Sequence, residues 1–572
     1  MKRITKRLLS LASSATLALS MIFSVADSSF AAAYRPQKDT TTGLVMSTNF
    51  LANEVGKKVL DNGGNAFDAA VAVGYMLAVV HPSAGNIGGG GFAVIHTADG
   101  KNTTLDFREV APLKAQRDMY LDKDKNPIDG LSVTGYKSAG VPGTVAGLNE
   151  LLAKYGTKSL DELIQPAIDA ANNGFAISER QAETFVEEYD RLKIHPSTVK
   201  YFFKADGKST YKDGEILVQK DLAKTLERIK KDGTKGFYEG ETADLIAKDM
   251  AKNGGLITKE DLKAYKPIWR NPIKGTYRGY DIISMGPPSS GGAHVIQILN
   301  VLENADVAKM GFGSSEKIHL MAEAERYAYA DRSEYMGDPS FVKIPLAKIT
   351  SKEYAKSIYD AIQKAGNVAT PSENIKPGQL MNEPMHTTHY SIADFKGNAI
   401  AVTYTINYTF GSGATVDGAG FLLNDEMDDF SIKPGVPNVY GLVGGDANAV
   451  EAGKRPLSSM TPTIILKDGK VYMVVGSPGG ARIITTVSQV ISNVIDHDYN
   501  ISEAVEASRF HMQWLPDELR VEKTTLVKDV QDKLEKMGYK IAVKDDMGDV
   551  NAIIVDNTNH TMYGSKDPRT EF

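Results

Sequence analysis

The chain has 572 residues, a formal net charge of −6, and 42% hydrophobic and 24% charged residues, proportions that build a globular core rather than a disordered chain. The small charge, with no Lys/Arg block beyond the N-terminus, excludes a basic nucleic-acid-binding surface. Cysteine is absent, which removes disulfides, thiolate metal sites, iron–sulfur clusters and a cysteine nucleophile together.

Lys2, Arg3, Lys6 and Arg7 precede an apolar run from Leu8 to Val25, and "DSSFAAAY" follows. This is the pattern of an export signal cleaved after Ala31 or Ala33. An uncleaved membrane anchor is the alternative; the Ser and Thr within the run and its Ala-rich exit favour cleavage. The expected product is exported, secreted or periplasmic, and its lack of cysteine suits a chain that folds without oxidation. No later segment reaches the ~20 apolar residues needed to span a bilayer, so no stable membrane insertion is expected.

"AFDAAVAVGYMLAVV" (Ala66 to Val80) reads as a buried helix ended by His81-Pro82. "SAGNIGGGGFAVIHTADGKNTTLDF" then reads as a glycine loop and a hairpin around an Asp-Gly turn. Gly88 to Ala93 formally fits G-x-G-x-x-A, but a helix precedes it and a strand follows, the reverse of a dinucleotide site. Close approach of backbone to backbone is the better reading of these glycines. Val141 to Lys364 is predicted mostly helical from its three- and four-residue apolar spacing. Ala365 to Met385 is a loop. After it, "HYSIADFKGNAIAVTYTI", "TPTIILKDGKVYMVVGSPGG" and "NAIIVDNTNHTMYGS" each predict strand, turn, strand, with helical stretches between. Layers of helices and mainly antiparallel sheets follow.

Several chemistries drop out. His386 and His389 lie three apart at the start of a strand and face opposite sides, so they do not chelate one metal ion. Neither HExxH nor G-x-S-x-G occurs, which removes the zincin and α/β-hydrolase signatures. Thr387 remains. A threonine hydroxyl needs a neighbouring base, and one solution is the nucleophile's own α-amine at a chain N-terminus. That amine has a pKa of ~7.7–8, close to working pH. A cut just before Thr387 would create it, at a loop-to-strand junction. From these residues alone, "TTHYS" is better read as the opening of an ordinary strand, where Thr is common.

"LDFREVAP", "TTHYS", "NDEMDDF", "KRPLSSMTPTI" and "GSPGGARIITT", in this order, closely resemble the γ-glutamyltransferase (γ-glutamyltranspeptidase, glutathione hydrolase) family. The resemblance covers essentially the whole chain after the signal. It implies a four-layer α/β/β/α N-terminal-nucleophile hydrolase fold with stacked, mainly antiparallel sheets. It further implies a signal peptide (1–33), a large subunit (34–386) and a small subunit (387–572), produced by self-cleavage between His386 and Thr387 and retained as a heterodimer. The implied reaction transfers the γ-glutamyl group of glutathione and related compounds to Thr387, then to water or to an amino-acid or dipeptide acceptor. No metal or organic cofactor is implied.

The same resemblance assigns roles by position. Arg108 would bind the substrate α-carboxylate, to which its planar fork is suited; without the resemblance, an ion pair with Glu109 or Asp106 at the surface would be expected. Asp429 would receive the α-ammonium, with Asn407 and Glu426 holding the same head group. Ser458 and Ser459 would assist at the carboxylate, although alone they read as loop serines. Gly479 and Gly480 would form the oxyanion hole, and Thr405 would hydrogen-bond to the nucleophile. Glu426 stands where some bacterial relatives have Gln. "SIKPGVPNVYGLVGGDANAVEAGKRP" resembles a lid loop found in some members, with Tyr440 as its gate. Cephalosporin acylases and poly-γ-glutamate-processing enzymes offer the same nucleophile with another acyl group; Arg108 and Asp429 are expected to discriminate, since such a group would leave both unpaired. A non-catalytic exported binding protein is the reading from another class.

Overall fold

Two sheets stacked face to face organise the chain, and each is assembled from both halves of the sequence. The structure is a computed structural model and describes residues 36–375, 387–436, 438, 442 and 444–569. The predicted signal (1–33) and residues 376–385 of the predicted 365–385 loop lie outside the described residues. The first half supplies strands β1 (Gln37–Asp39), β2 (Gly43–Ser47), β3 (Gly90–His96), β4 (Asn102–Asp106), β5 (Ile268–Arg270), β6 (Ile273–Tyr277) and β7 (Tyr280–Ser284). The second supplies β8 (Thr388–Asp394), β9 (Ala399–Thr405), β10 (Thr463–Lys467), β11 (Lys470–Val475), β12 (Asn551–Asp556) and β13 (Thr561–Lys566).

One sheet has six strands in the order β2-β8-β9-β3-β4-β5, the other seven in the order β1-β13-β12-β11-β10-β7-β6. Every pairing in both is antiparallel. In each sheet, strands from the second half lie between strands from the first. The hairpins expected from the Asp-Gly and Lys-Gly turns are present as β3–β4, β8–β9 and β10–β11. Val141 to Lys364 departs from its helical expectation, because β5, β6 and β7 interrupt it and join both sheets. "IWRNPIKGTYRGYDIIS" contains Pro and Gly breaks and β-branched and aromatic residues; β5 and β7 pair with the distant β4 and β10, and β6 with β7 across the Arg278-Gly279 turn.

Helices cover the outer faces. On the six-stranded sheet lie α1 (Phe50–Asp61), α2 (Ala66–Val80), α3 (Thr144–Tyr155) and α4 (Leu160–Asn173), packed with Tyr390, Ile392, Ile400 and Val402 in one apolar core. Against the seven-stranded sheet lie α5 (Gly291–Leu302), α6 (Ser315–Tyr335) and α7 (Arg482–His497). Their core is continuous with the space between the sheets, where Phe92, Val94 and Ala401 meet Ile464 and Val474. The result is the α/β/β/α stack.

α2 has the predicted bounds and is buried along its whole length. Asn65 and Asp68 form a capping box at its start, satisfying backbone donors that a buried helix end would leave orphaned. Asp68 also accepts from Thr157 N at 2.7 Å, Thr157 Oγ1 at 2.6 Å and Lys158 N at 3.0 Å, so its burial is compensated. The glycine run ahead of β3 allows the close approach foreseen for it. A Cβ on Gly89 would lie 2.0 Å from the carbonyl oxygen of Thr405, so only glycine lets this backbone pack behind the end of β9. Among the described residues no helix is long and apolar enough to cross a membrane.

Candidate active site

Because β8 and β9 are antiparallel neighbours with Thr388 opposite Tyr404, the residue before β8 and the last residue of β9 come to the same sheet end. A cleft with about 280 Å³ of open space lies there. It is lined by Arg108, Thr387, Thr405, Asn407, Glu426, Asp429, Ser458, Ser459 and Gly480, with Leu442, Met460 and Ile483 as its apolar wall. Nine residues singled out in the sequence thus converge from segments up to 372 positions apart, the separation of Arg108 and Gly480. Tyr440 and His386 lie outside the described residues.

Thr387 is half-buried, and its Oγ1 is 3.4 Å from Oγ1 of Thr405. Thr405 Oγ1 also accepts from Asn407 N at 2.8 Å. Asn407 adopts φ +74°, a left-handed conformation that asparagine tolerates better than most residues. Its side-chain amide donates to Asp425 O at 3.0 Å. The turn after β9 therefore fixes the threonine pair from behind.

Arg108 follows β4 and is fully buried, not at the surface. Its backbone is clamped on both sides. Asp106 Oδ1 accepts from Arg108 N at 3.0 Å, while Tyr265 OH and Arg455 Nη1 donate to Arg108 O at 2.8 and 2.5 Å. The guanidinium hydrogen-bonds to Glu426 through Nη1 and to Asp429 through Nη2. Glu109 Oε2 stands 3.6 Å from Nη1, and neither Glu109 oxygen has a hydrogen-bond partner among the described residues. The expectation that Arg108 and Asp429 stay unpaired without an amino-acid head group is not met, since they pair with each other.

Three acids around one guanidinium cannot all ionise freely in a buried site. Burial disfavours the Arg108 charge, but Glu426, Asp429 and Glu109 more than offset it, and its pKa is raised. Burial pushes Glu426 well above the usual carboxylate range against the pull of Arg108. The same two influences, in the same order, leave Glu109 at about 7.

Ser458 Oγ accepts from Met460 N at 3.1 Å, whereas the buried Ser459 Oγ has no partner among the described residues and can serve a ligand. Gly479 and Gly480 have φ of +138° and +54°, values that favour glycine. The carbonyl of Pro478 accepts from Ser477 Oγ at 2.6 Å, and that of Gly479 accepts from Arg482 N at 3.0 Å. In a trans peptide each N–H points opposite the preceding carbonyl, so the Gly479 and Gly480 N–H groups are directed away from these contacts. Among the described residues no cluster of three or more His, Asp or Glu side chains is placed to hold a metal ion.

Two neighbours of the head-group acids were given no part in the site from the sequence. Glu109 was named only as a surface ion-pair partner for Arg108; it stands beside Arg108 but is buried. Asn438, within the predicted lid segment, donates to Asp429 Oδ1 at 3.1 Å; nothing in its local sequence marks it.

A threonine at the head of an inner strand, in an α/β/β/α stack, is the arrangement of the N-terminal-nucleophile hydrolases. The structure is correspondingly similar to a cephalosporin acylase from Bacillus halodurans (TM-score 0.82, 28% identity, 94% of this chain and 96% of that one). Within that class, the gamma-glutamyltranspeptidase family model matches residues 52–571, and the chain belongs to this family. It is 54% identical over 529 residues to the glutathione hydrolase proenzyme of Escherichia coli K12, covering 92% of this chain and 90% of that one. The gamma-glutamyltranspeptidase structure from Helicobacter pylori is 60% identical, with a TM-score of 0.59, over 60% of this chain and 97% of that one.

Proposed function

We propose that the protein is a self-processing γ-glutamyltransferase that acts on glutathione and related γ-glutamyl compounds. The observation that carries this reading is the layout of the cleft. A threonine able to become a chain end faces one side, and a buried cation ringed by acids stands on the other. In the precursor, Thr387 Oγ1 attacks the carbonyl of His386, and the peptide shifts to an ester that water opens. This yields chains 34–386 and 387–572. The new α-amine then takes the proton from Oγ1 as the hydroxyl attacks the γ-carbonyl of the substrate.

The substrate head group exchanges partners with the site. Its α-carboxylate takes up Arg108, with Ser458 and Ser459 alongside. Its α-ammonium takes up Asp429 and Glu426, with Asn407 beside them. Charge developing on the γ-carbonyl oxygen is stabilised by the N–H groups of Gly479 and Gly480. The amine product leaves with the proton, and water or an acceptor amine releases the acyl group. The proenzyme naming of the E. coli relative supports a cut precursor. So does the H. pylori chain, which aligns over almost its full length yet accounts for only 60% of this one. The basic and apolar N-terminal residues support export.

The likeness to a cephalosporin acylase favours a second reading, with the same nucleophile and a different acyl group. Parallel assays separate the two: γ-glutamyl anilide against glutaryl anilide, which lacks the α-ammonium. The purified full chain is expected to yield two bands, the smaller beginning at Thr387, and to prefer the γ-glutamyl substrate. Thr387→Ala should remain one chain without activity. Normal cutting of that variant would overturn the nucleophile, and preference for the glutaryl substrate would overturn the substrate.

A further inference from the structure

A buried polar chain outside the cleft ties the segment carrying Thr387 to the glycine loop opposite it. Thr388 is fully buried, and its Oγ1 lies 3.2 Å from Oγ1 of Thr48, the residue between β2 and the Asn49 cap of α1. Thr48 Oγ1 donates to Asp549 Oδ2 at 2.7 Å. A hydroxyl has one proton, so Thr48, having directed its own to Asp549, accepts from Thr388. Asp549 is tied on its other side too. Its N–H donates to Ser477 Oγ at 3.0 Å, and Ser477 Oγ donates to the Pro478 carbonyl, the peptide that leads into Gly479. Gly548 sits so close to this contact that a Cβ there would come within 2.7 Å of Ser477 Oγ. Thr48, Thr388, Ser477 and Asp549 are all buried.

We propose that Asp549 is a positioning residue for the reaction at Thr387, holding the nucleophile segment and the glycine loop in fixed relation through Thr48 and Ser477. This rests on the reading of Thr387 given above. Strand pairing explains why such a device is needed. β8 pairs with β9 from Thr388 onward, but with β2 only from Tyr390, opposite Ser47. On the β2 side the ladder therefore stops before it reaches Thr388, and the Thr388–Thr48–Asp549 chain begins there. Before the cut, residue 387 is held by the polypeptide on both sides. Afterwards it is tethered through residue 388 alone, so its freedom is set by how firmly residue 388 is fixed.

The test uses the full chain and reads self-cleavage rate, kcat and KM for a γ-glutamyl anilide, and Tm. Misplacing reacting groups by an ångström costs about a hundredfold, so Asp549→Ala should lower kcat by about that factor and slow self-cleavage. KM should stay within about twofold, because the Arg108 end is untouched. Asp549→Asn keeps an acceptor for Thr48 and should recover most of the loss. Thr48→Val and Thr388→Val each remove a hydroxyl and should each cost about tenfold in kcat, as loss of a buried hydrogen bond does. The double variant should lose no more than either alone, because both break one chain. The proposal is overturned by valine variants with wild-type kcat, by KM rising in step with the fall in kcat, or by an Asn variant no better than Ala. If Asp549→Ala does not fold, the two valine variants carry the test. A wild-type small chain beginning elsewhere than Thr387 would sink the nucleophile reading instead.

Discussion

At one end of the cleft the buried Arg108 meets the buried Glu426 and Glu109 and the half-buried Asp429, all ionisable. At the other, two threonine hydroxyls 3.4 Å apart face a glycine turn. The first end works through charge in a poorly screened setting, where attraction acts across several ångströms and tolerates small displacements. The second relies on hydroxyl and backbone groups whose contribution vanishes within an ångström of misplacement. Under the proposed function, recognition and chemistry fall to different kinds of interaction, and substitutions at the two ends should separate in KM and kcat.

Arg108→Ala should break that separation most visibly. Removing one partner of a buried charge-assisted contact costs ~2–5 kcal/mol, roughly thirty- to several thousand-fold, and the loss should appear in KM for glutathione while self-cleavage continues. Steady-state kinetics beside a denaturing gel checks this, and an unchanged KM would place the head group elsewhere. Gly479→Ala should act in the opposite sense. A side chain at φ +138° strains the turn and moves the N–H it presents. Loss of one such donor costs about 10²–10³ in kcat, with KM little changed. Pre-steady-state measurement of the acylation rate tests it. The smallest effect is expected at Glu109, which burial, opposed by Arg108, holds at about 7. Below that pH its carboxyl is neutral; above it, an anion competes with the substrate α-carboxylate for Arg108. KM should therefore climb as pH rises through 7, by a few-fold, and Glu109→Gln should flatten the climb. A pH profile of KM that is identical in the variant would remove Glu109 from recognition.

Elements whose cause is local were legible in the sequence. The helix Ala66–Val80 announces itself by composition and its His-Pro end, and the hairpins by alternation around Asp-Gly and Lys-Gly turns. β5 and β7 were hidden because they are short and stabilised by partners 162 to 185 residues away in β4 and β10, and β6 because its one pairing is with β7 across the Arg278-Gly279 turn. The site follows the same rule. The loop-to-strand junction drew attention to Thr387, but those residues alone favoured an ordinary strand opening, and the resemblance supplied its role and the remaining positions. Local sequence could not show that Arg108 is buried among acids 318 and 321 residues distant, or that Asn438 reaches Asp429. Such contacts exist only once the sheets have stacked.

The interleaving of the two sheets has a consequence for any chain cut before Thr387. β8 and β9 would remain between β2 and β3, and β10 to β13 between β1 and β7. The two pieces would share one hydrophobic interior instead of meeting across a separable interface. Separating them would mean extracting strands from the middle of both sheets, which is equivalent to unfolding. Dilution should therefore not dissociate the mature pair, and subunits should not exchange between molecules. Each molecule would keep the partner with which it was synthesised, and a piece lost to denaturation would have no folded counterpart to rejoin.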